Sequence, residues 1–268
     1  MFKQQLDPMP AEQRAAMMAS KDDYIAFYSR AKDVHLAVSR ETGRILYMLA
    51  RATNARTIIE FGSSFGVSTL HLAAALRDNG GGKLITTEFE PTKITRTRAN
   101  IAASGLADLV EIREGDALET LARHLPQSID FVLLDGAKGL YPDILSLVEE
   151  RLRVGALIVA DNANWSPDYL ARVRSPGTGY MSVPFAEDIE LSMRVAASQR
   201  LHPGRDVRGV AENLPAASTT TGPVSTPMRA VSVGLPEPSF LRFNSASARW
   251  TDNAARTARS ESFSCAAG

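Results

Sequence analysis

Residues 57–68, TIIEFGSSFGVS, restrict this chain to few folds. An apolar run ends in an acid, a turn bearing Gly62 and Gly66 follows, and a helical pattern opens at Val67. Buried strand, tight turn and helix N-terminus in that order are how an open α/β sheet builds a ligand crevice at the carboxyl ends of its strands. The two glycines can take backbone angles closed to other residues and let a ligand approach the main chain. Short apolar runs at 57–61, 83–88, 109–113, 129–134 and 155–160 alternate with helical patterns at 67–79, 91–104, 116–125 and 140–152. That alternation predicts a parallel sheet covered on both faces. Gly80-Gly81-Gly82, Gly105 and Gly155 fall where helices should stop. One more helix is expected in SPDYLARVRS, with Ser166 as N-cap and Pro167 at its first position. YMSVPFA and IELSMRV then read as strands joined by Glu187-Asp188, a connection so short that the pair must be antiparallel.

The flanks differ from this middle. Before residue 57 only helical spacing appears: AEQRAAMMAS behind Pro10, an aromatic stripe of Tyr24, Phe27, Tyr28 and Ala31, and 41–52 with Ile45, Leu46, Leu49 and Ala50 on one face. The stripe reads as core rather than binding surface, and residues 1–55 are expected to cap the sheet or its crevice. Residues 197–268 are rich in Ala, Ser, Thr, Pro and Arg and contain no lysine. LPAASTTTGPVSTP has linker composition and too little apolar surface to offset chain entropy. The expected division is a domain at 1–196 and a largely disordered tail at 197–268.

With 268 residues, 44% of them hydrophobic, the chain can bury one sizeable core. Its formal net charge of zero gives no global attraction to nucleic acid or an anionic membrane. The single cysteine, Cys265, excludes an internal disulfide and a cysteine-based zinc cluster. No run of about 18 apolar residues is present to span a bilayer, and MFKQQLDPMPAEQ lacks the apolar core of a secretory signal. A cytoplasmic protein is expected.

The ligand of the crevice can be narrowed. A dinucleotide fingerprint needs three spaced glycines, and here those positions hold Gly62, Ser64 and Val67. No Gly-Lys-Ser/Thr follows a strand, so a P-loop is absent as well. Glu60 beside the first glycine would repel a pyrophosphate and suits a cationic, amino-bearing ligand without phosphate, such as S-adenosylmethionine. Glu88, ending the next apolar run, is spaced to accept both hydroxyls of a ribose. The bland alternative makes Glu60 and Glu88 solvated strand-end acids. A second cluster bears on chemistry. Asp135 ends the fourth strand, Lys138 follows three residues on, and Asp161 and Asn162 end the fifth. Adjacent parallel strands lie about 5 Å apart, so two carboxylates and an amide can converge. They are hard oxygen donors suited to Mg²⁺.

On IIEFGSSFGVSTL, KLITTEFEP, REGDAL, LLDGAKGLY and LIVADN, residues 36–196 resemble the cation-dependent O-methyltransferases of the catechol and caffeoyl-CoA type. The resemblance implies a Rossmann-like, doubly wound seven-stranded sheet of order 3-2-1-4-5-7-6 with strand 7 antiparallel. It implies that Val38, Glu60, Gly62, Ser64 and Ser68 line the methionine end of the cofactor, and that Glu88 holds the ribose. Asp116 and Ala117 would lie by adenine. Asp135, which also faces the cofactor, would bind the metal with Asp161 and Asn162, and Lys138 falls where the family carries its general base. Gly136-Ala137 replaces bulkier residues of the catechol enzymes, so their aromatic wall is missing; Trp165 or Tyr141 could supply one or be plain packing. His71 is expected to be packed or at the surface, and His35, His124 and His202 suggest no catalytic triad.

The expectation is therefore an O-methyltransferase using S-adenosylmethionine and Mg²⁺ on a small hydroxylated, catechol-like acceptor, with the oligomeric state open and a homodimer one option. A metal-independent methyltransferase, a non-catalytic S-adenosylmethionine-binding module and an NAD oxidoreductase remain as rivals.

Overall fold

The computed structural model describes residues 17, 20–22, 24–30, 32–33, 37–185 and 188–196. The expected helix behind Pro10, the tail at 197–268, Ala31, His35, Glu187, His202 and Cys265 lie outside the described residues.

Seven strands form one sheet: β1 (Thr57–Phe61), β2 (Lys83–Glu88), β3 (Val110–Glu114), β4 (Ile129–Leu134), β5 (Leu152–Ala160), β6 (Tyr180–Pro184) and β7 (Glu190–Arg194). Their order is β3-β2-β1-β4-β5-β7-β6, as the resemblance implies. The first five run parallel, whereas β7 is antiparallel to both β5 and β6. Helices α1 (Tyr24–Ser29) and α2 (Arg40–Ala52) precede the sheet. Helices α3 (Val67–Asp78), α4 (Pro91–Ala103), α5 (Ala117–Thr120), α6 (Tyr141–Val148) and α7 (Pro167–Arg174) connect its strands. Among the described residues no helix is long and apolar enough to cross a membrane.

Period-two alternation divides each central strand between two cores. Ile59, Val132, Leu134 and Ile158 face one layer with Tyr141, Ile144 and Leu145 of α6 and Tyr169 of α7. Ile58, Phe131, Leu133 and Val159 face the other with Leu46 and Ala50 of α2 and Leu72 and Leu76 of α3. Both faces of the strands are thus apolar, which is why they read as continuous hydrophobic runs. Ser39 starts α2 by accepting Thr42 N–H (3.0 Å), and Glu90 starts α4 by accepting Lys93 N–H (2.8 Å).

Three local expectations need correction. The pattern at 116–125 forms a helix only over Ala117–Thr120, because the Arg113 guanidinium captures the carbonyls of Thr120, Arg123 and His124 (2.8–2.9 Å). Gly155 does not stop a helix; it lies inside β5 at φ 83°, where the pairing with β4 jumps from Ile129↔Leu152 to Phe131↔Leu157. Such left-handed geometry at a strand irregularity suits glycine. Ser166 does precede α7, with Pro167 at the first position, yet its hydroxyl makes no cap bond and is buried without a partner.

Candidate active site

Strand order reverses between β1 and β4, and the crevice of an open α/β sheet opens outside the carboxyl ends at such a point. The chain leaves β1 through Gly62 at φ 94°, passes Ser64 at φ 48° and enters α3 at Gly66, φ 85°. A side chain at Gly62 would stand 2.7 Å from the Asp135 carbonyl, so only glycine lets the ends of β1 and β4 close together. The resulting crevice is open to solvent. Gly62, Ser64, Glu88, Ala117 and Asp135 line it, with Tyr24, Tyr28, Phe61 and Lys93 among their neighbours. Ser64 Oγ is buried there without a hydrogen-bond partner.

Two acids belong to the first rim. Glu60 is wholly buried behind the turn, accepting Ser68 Oγ (2.5 Å) and Thr69 Oγ1 (2.6 Å). Burial pushes its pKa up, and the two hydroxyl bonds oppose that rise. Glu60 and Ser68 therefore meet each other rather than line the open crevice. Glu88 is the acid that faces it. Its Oε2 accepts Ser64 N–H (2.9 Å), and its Oε1 accepts the N–H groups of Phe89 and Glu90 (both 3.0 Å). Burial raises its pKa too, countered by those N–H groups and the Lys93 charge. Lys93 is itself buried and held below the usual lysine range by desolvation, against the pull of Glu88, Glu90 and Asp135. Sequence reasoning missed Lys93, since a lysine in the first turn of a helix ordinarily points to water.

The aromatic stripe of α1 faces differently from expectation. Tyr24 and Tyr28 rest against the core but also line the crevice, and Tyr24 Oη donates to Asp116 Oδ2 (2.5 Å). Asp116 Oδ1 accepts Leu118 N–H (2.9 Å), which starts α5. The crevice thus takes its aromatic faces from α1, Phe61 and Phe89. Tyr141 is fully buried in the core, while Trp165 is only partly covered. Val38 is half-buried ahead of α2 and does not line the crevice. His71 is packed within α3, its Nδ1 on the Val67 carbonyl (2.9 Å).

The second rim joins the ends of β4 and β5. Asp135 N–H donates to the Phe61 carbonyl and Asp161 N–H to the Leu134 carbonyl (both 2.9 Å), which extends the ladder and sets the two acids side by side. Lys138 Nζ donates to Asp135 Oδ1 (3.0 Å) and to Tyr141 Oη (2.8 Å), and Tyr141 Oη donates to the Asp161 carbonyl (2.8 Å). Burial raises the pKa of Asp135, opposed by Lys138. Burial and the neighbouring Asp135 charge push Asp161 up to about 7. Asn162 sits beside them at φ 49°, its Nδ2 donating to Asp188 Oδ2 (2.6 Å). Asp135, Lys138 and Asp161 are therefore brought together at the ends of β4 and β5, with Asn162 next in the chain, and of these Asp135 lines the crevice with Glu88. Two carboxylates crowded at a strand edge, with one ammonium between them and a phenol, can bind a cation or move a proton.

The family model for O-methyltransferases matches residues 24–201. A catechol O-methyltransferase of Niastella koreensis is 35% identical over 130 residues, covering 47% of this chain and 58% of that protein. A catechol O-methyltransferase of Mycobacterium tuberculosis is 30% identical over 175 residues, covering 65% of this chain and 74% of that protein. The solved structure of the O-methyltransferase TomG from Streptomyces achromogenes, in complex with SAM, superposes with a TM-score of 0.54 at 24% identity, over 70% of this chain and all of that one. That likeness is one of fold, and it agrees with the sheet order found here. Carried by the match across most of the sheet-forming region, the conclusion is that the chain belongs to the O-methyltransferase family.

Proposed function

We propose that the protein moves a methyl group from S-adenosylmethionine to a hydroxyl of a small, catechol-like acceptor, with Mg²⁺ held by Asp135, Asp161 and Asn162. The observation that carries this reading is two unlike acid groups at neighbouring strand ends, Glu60 and Glu88 with fixed donors at β1 and β2 and crowded carboxylates with a lysine at β4 and β5, joined where Asp135 lines the crevice with Glu88. The first rim fits the cofactor. Gly62 opens the main chain, Ser64 Oγ lacks a partner, and Glu88 already accepts three N–H groups, so one lone pair of its Oε2 is left for a hydroxyl. Asp116 and Ala117 would stand by adenine, under Tyr24. Glu60, held by Ser68 behind the turn, would act on the methionine end by its charge, and Val38, which lies off the crevice, is left out of it.

The second rim fits a hard divalent cation, since burial raises the pKa of both carboxylates, Asp135 raises that of Asp161 further, and a cation would favour the charged form of each. Among the described residues no three His, Cys, Asp or Glu side chains gather into a metal cluster, so the amide of Asn162 is needed as the third donor. Bound there, Mg²⁺ would favour the ionised form of an acceptor hydroxyl at neutral pH. Lys138 Nζ would take the hydroxyl proton. Its ion pair with Asp135 stabilises the ammonium, so its work as a base depends on Asp135 giving its charge to another cation. The chain supplies no covalent intermediate; alignment of two bound reactants can contribute up to about 7–11 kcal/mol.

One observation favours a metal-independent version: the Lys138 ammonium already sits on Asp135. Methyl transfer to a panel of catechols, assayed with Mg²⁺ and with a chelator, decides between them. Loss of product under chelator supports the metal reading, full activity supports the alternative, and no product from any hydroxylated acceptor overturns the acceptor class.

A further inference from the structure

Asn162 follows the last pair of β5 in the left-handed region, φ 49° and ψ 39°. Few residues other than glycine adopt it, asparagine and aspartate being the usual exceptions. Asp188, two residues before β7, holds this corner at two points. Its carboxylate accepts Asn162 Nδ2 at 2.6 Å, and its main-chain carbonyl accepts Ala163 N–H at 2.8 Å. Asp188 is kept in place by the ladder behind it, where Glu190 of β7 pairs with Ala160 of β5.

An amide has a donor end and an acceptor end, and a carboxylate only accepts. Asp188 therefore fixes which end of Asn162 faces the hairpin. The nitrogen is committed to Asp188, and the oxygen is left as the free end of the amide, next in the chain to Asp161. Without Asp188 the amide can turn over and present its NH₂ group toward the same place, where it would repel a cation. We infer that Asp188 is a positioning residue, which orients the Asn162 amide so that its oxygen serves the cation site formed with Asp135 and Asp161. Asp188 itself touches neither acceptor nor cofactor in this role. Nothing local in the sequence marks it, because it stands 26 positions from its partner in an exposed hairpin. The inference rests on the Mg²⁺ reading of the site, and the experiment separates the two.

Mg²⁺ is titrated calorimetrically into the full chain saturated with S-adenosylmethionine, for wild type, Asp188→Ala, Asp188→Asn and Asn162→Ala. Loss of an outer partner of a metal ligand typically costs about 10–100-fold in metal affinity, and Asp188→Ala should lose that much while cofactor affinity stays at the wild-type value. Asp188→Asn keeps an acceptor for Asn162 Nδ2 and should recover most of the loss. In an Asn162→Ala background, adding Asp188→Ala should change Mg²⁺ affinity no further. Wild-type affinity in Asp188→Ala overturns the inference, as does an Asp188→Asn variant as weak as the alanine variant. If wild type itself takes up no Mg²⁺, the metal reading fails and this inference with it. If wild type binds and Asp188→Ala binds equally, the inference alone fails.

Discussion

The two rims of the crevice satisfy their acids in opposite ways. At β1 and β2 the acids accept from fixed donors: Ser68 and Thr69 for Glu60, three main-chain N–H groups for Glu88. At β4 and β5 the acids answer to one another and to the end of a lysine side chain, and burial together with the Asp135 charge pushes Asp161 up to about 7. Fixed donors build a site whose shape precedes its ligand. Crowded carboxylates build one whose charge is balanced only when a cation arrives. A methyl transfer needs both, since the cofactor must be held still while the acceptor changes protonation.

Substitutions can break this contrast in order of expected size. Lys138→Met should lower turnover most, by about 10²–10⁴-fold, the usual worth of general-base help. Cofactor and Mg²⁺ affinities should hold, and the defect should shrink for acceptors whose hydroxyl is already acidic. Steady-state rates over pH 6–9 check it; undiminished turnover removes the base assignment. Glu88→Ala comes next. It would lose a charge-assisted bond to the ribose worth about 1.5–3 kcal/mol, read as weaker S-adenosylmethionine binding in calorimetry with Mg²⁺ affinity retained. Unchanged cofactor affinity would remove the ribose role.

Glu60→Gln is smaller and sharpens the contrast by its sign. Burial raises the Glu60 pKa in the folded state, so above the unfolded value its charge opposes folding. Wild-type stability should therefore fall as pH rises from the unfolded carboxyl pKa through the higher folded one. Glu60→Gln keeps a polar partner for Ser68 and Thr69 but removes that slope. The ligand-free variant should melt higher at neutral pH, by about 2–4 °C for each kcal/mol relieved, while binding the cationic cofactor more weakly. A lower melting temperature at neutral pH with cofactor affinity intact would show that the charge serves the fold instead.

Much of this contrast was legible in the sequence, for a physical reason. Strands buried on both faces leave unbroken apolar runs, so TIIEF, KLITTE and IDFVLL announce a covered parallel sheet, and the acids closing two of those runs lie at its carboxyl ends. Glu88 and Asp135 thus fall on one crevice, with Lys138 and Asp161 beside Asp135, because strand ends are where the runs stop. Periodicity is silent about what a face meets. It made Tyr24 and Tyr28 core, whereas both also line the crevice. It extended a helix through 116–125 without knowing that Arg113 would take its carbonyls. Lys93 and Asp188 carry no local signal at all; one is defined by burial beside Glu88, the other by a partner on a distant strand end.

The division of labour between the rims is tested most directly by Asp161→Ala, with S-adenosylmethionine and Mg²⁺ affinities measured on the same protein by calorimetry and turnover followed across a Mg²⁺ titration. One anionic oxygen of the β4–β5 rim is lost, while Glu88, Ser64 and Gly62 are untouched. Mg²⁺ binding and turnover should collapse together and the cofactor affinity should stay at the wild-type value. Wild-type turnover at every Mg²⁺ concentration, or loss of cofactor binding along with the metal, would contradict the separation of the crevice into a cofactor rim and a cation rim.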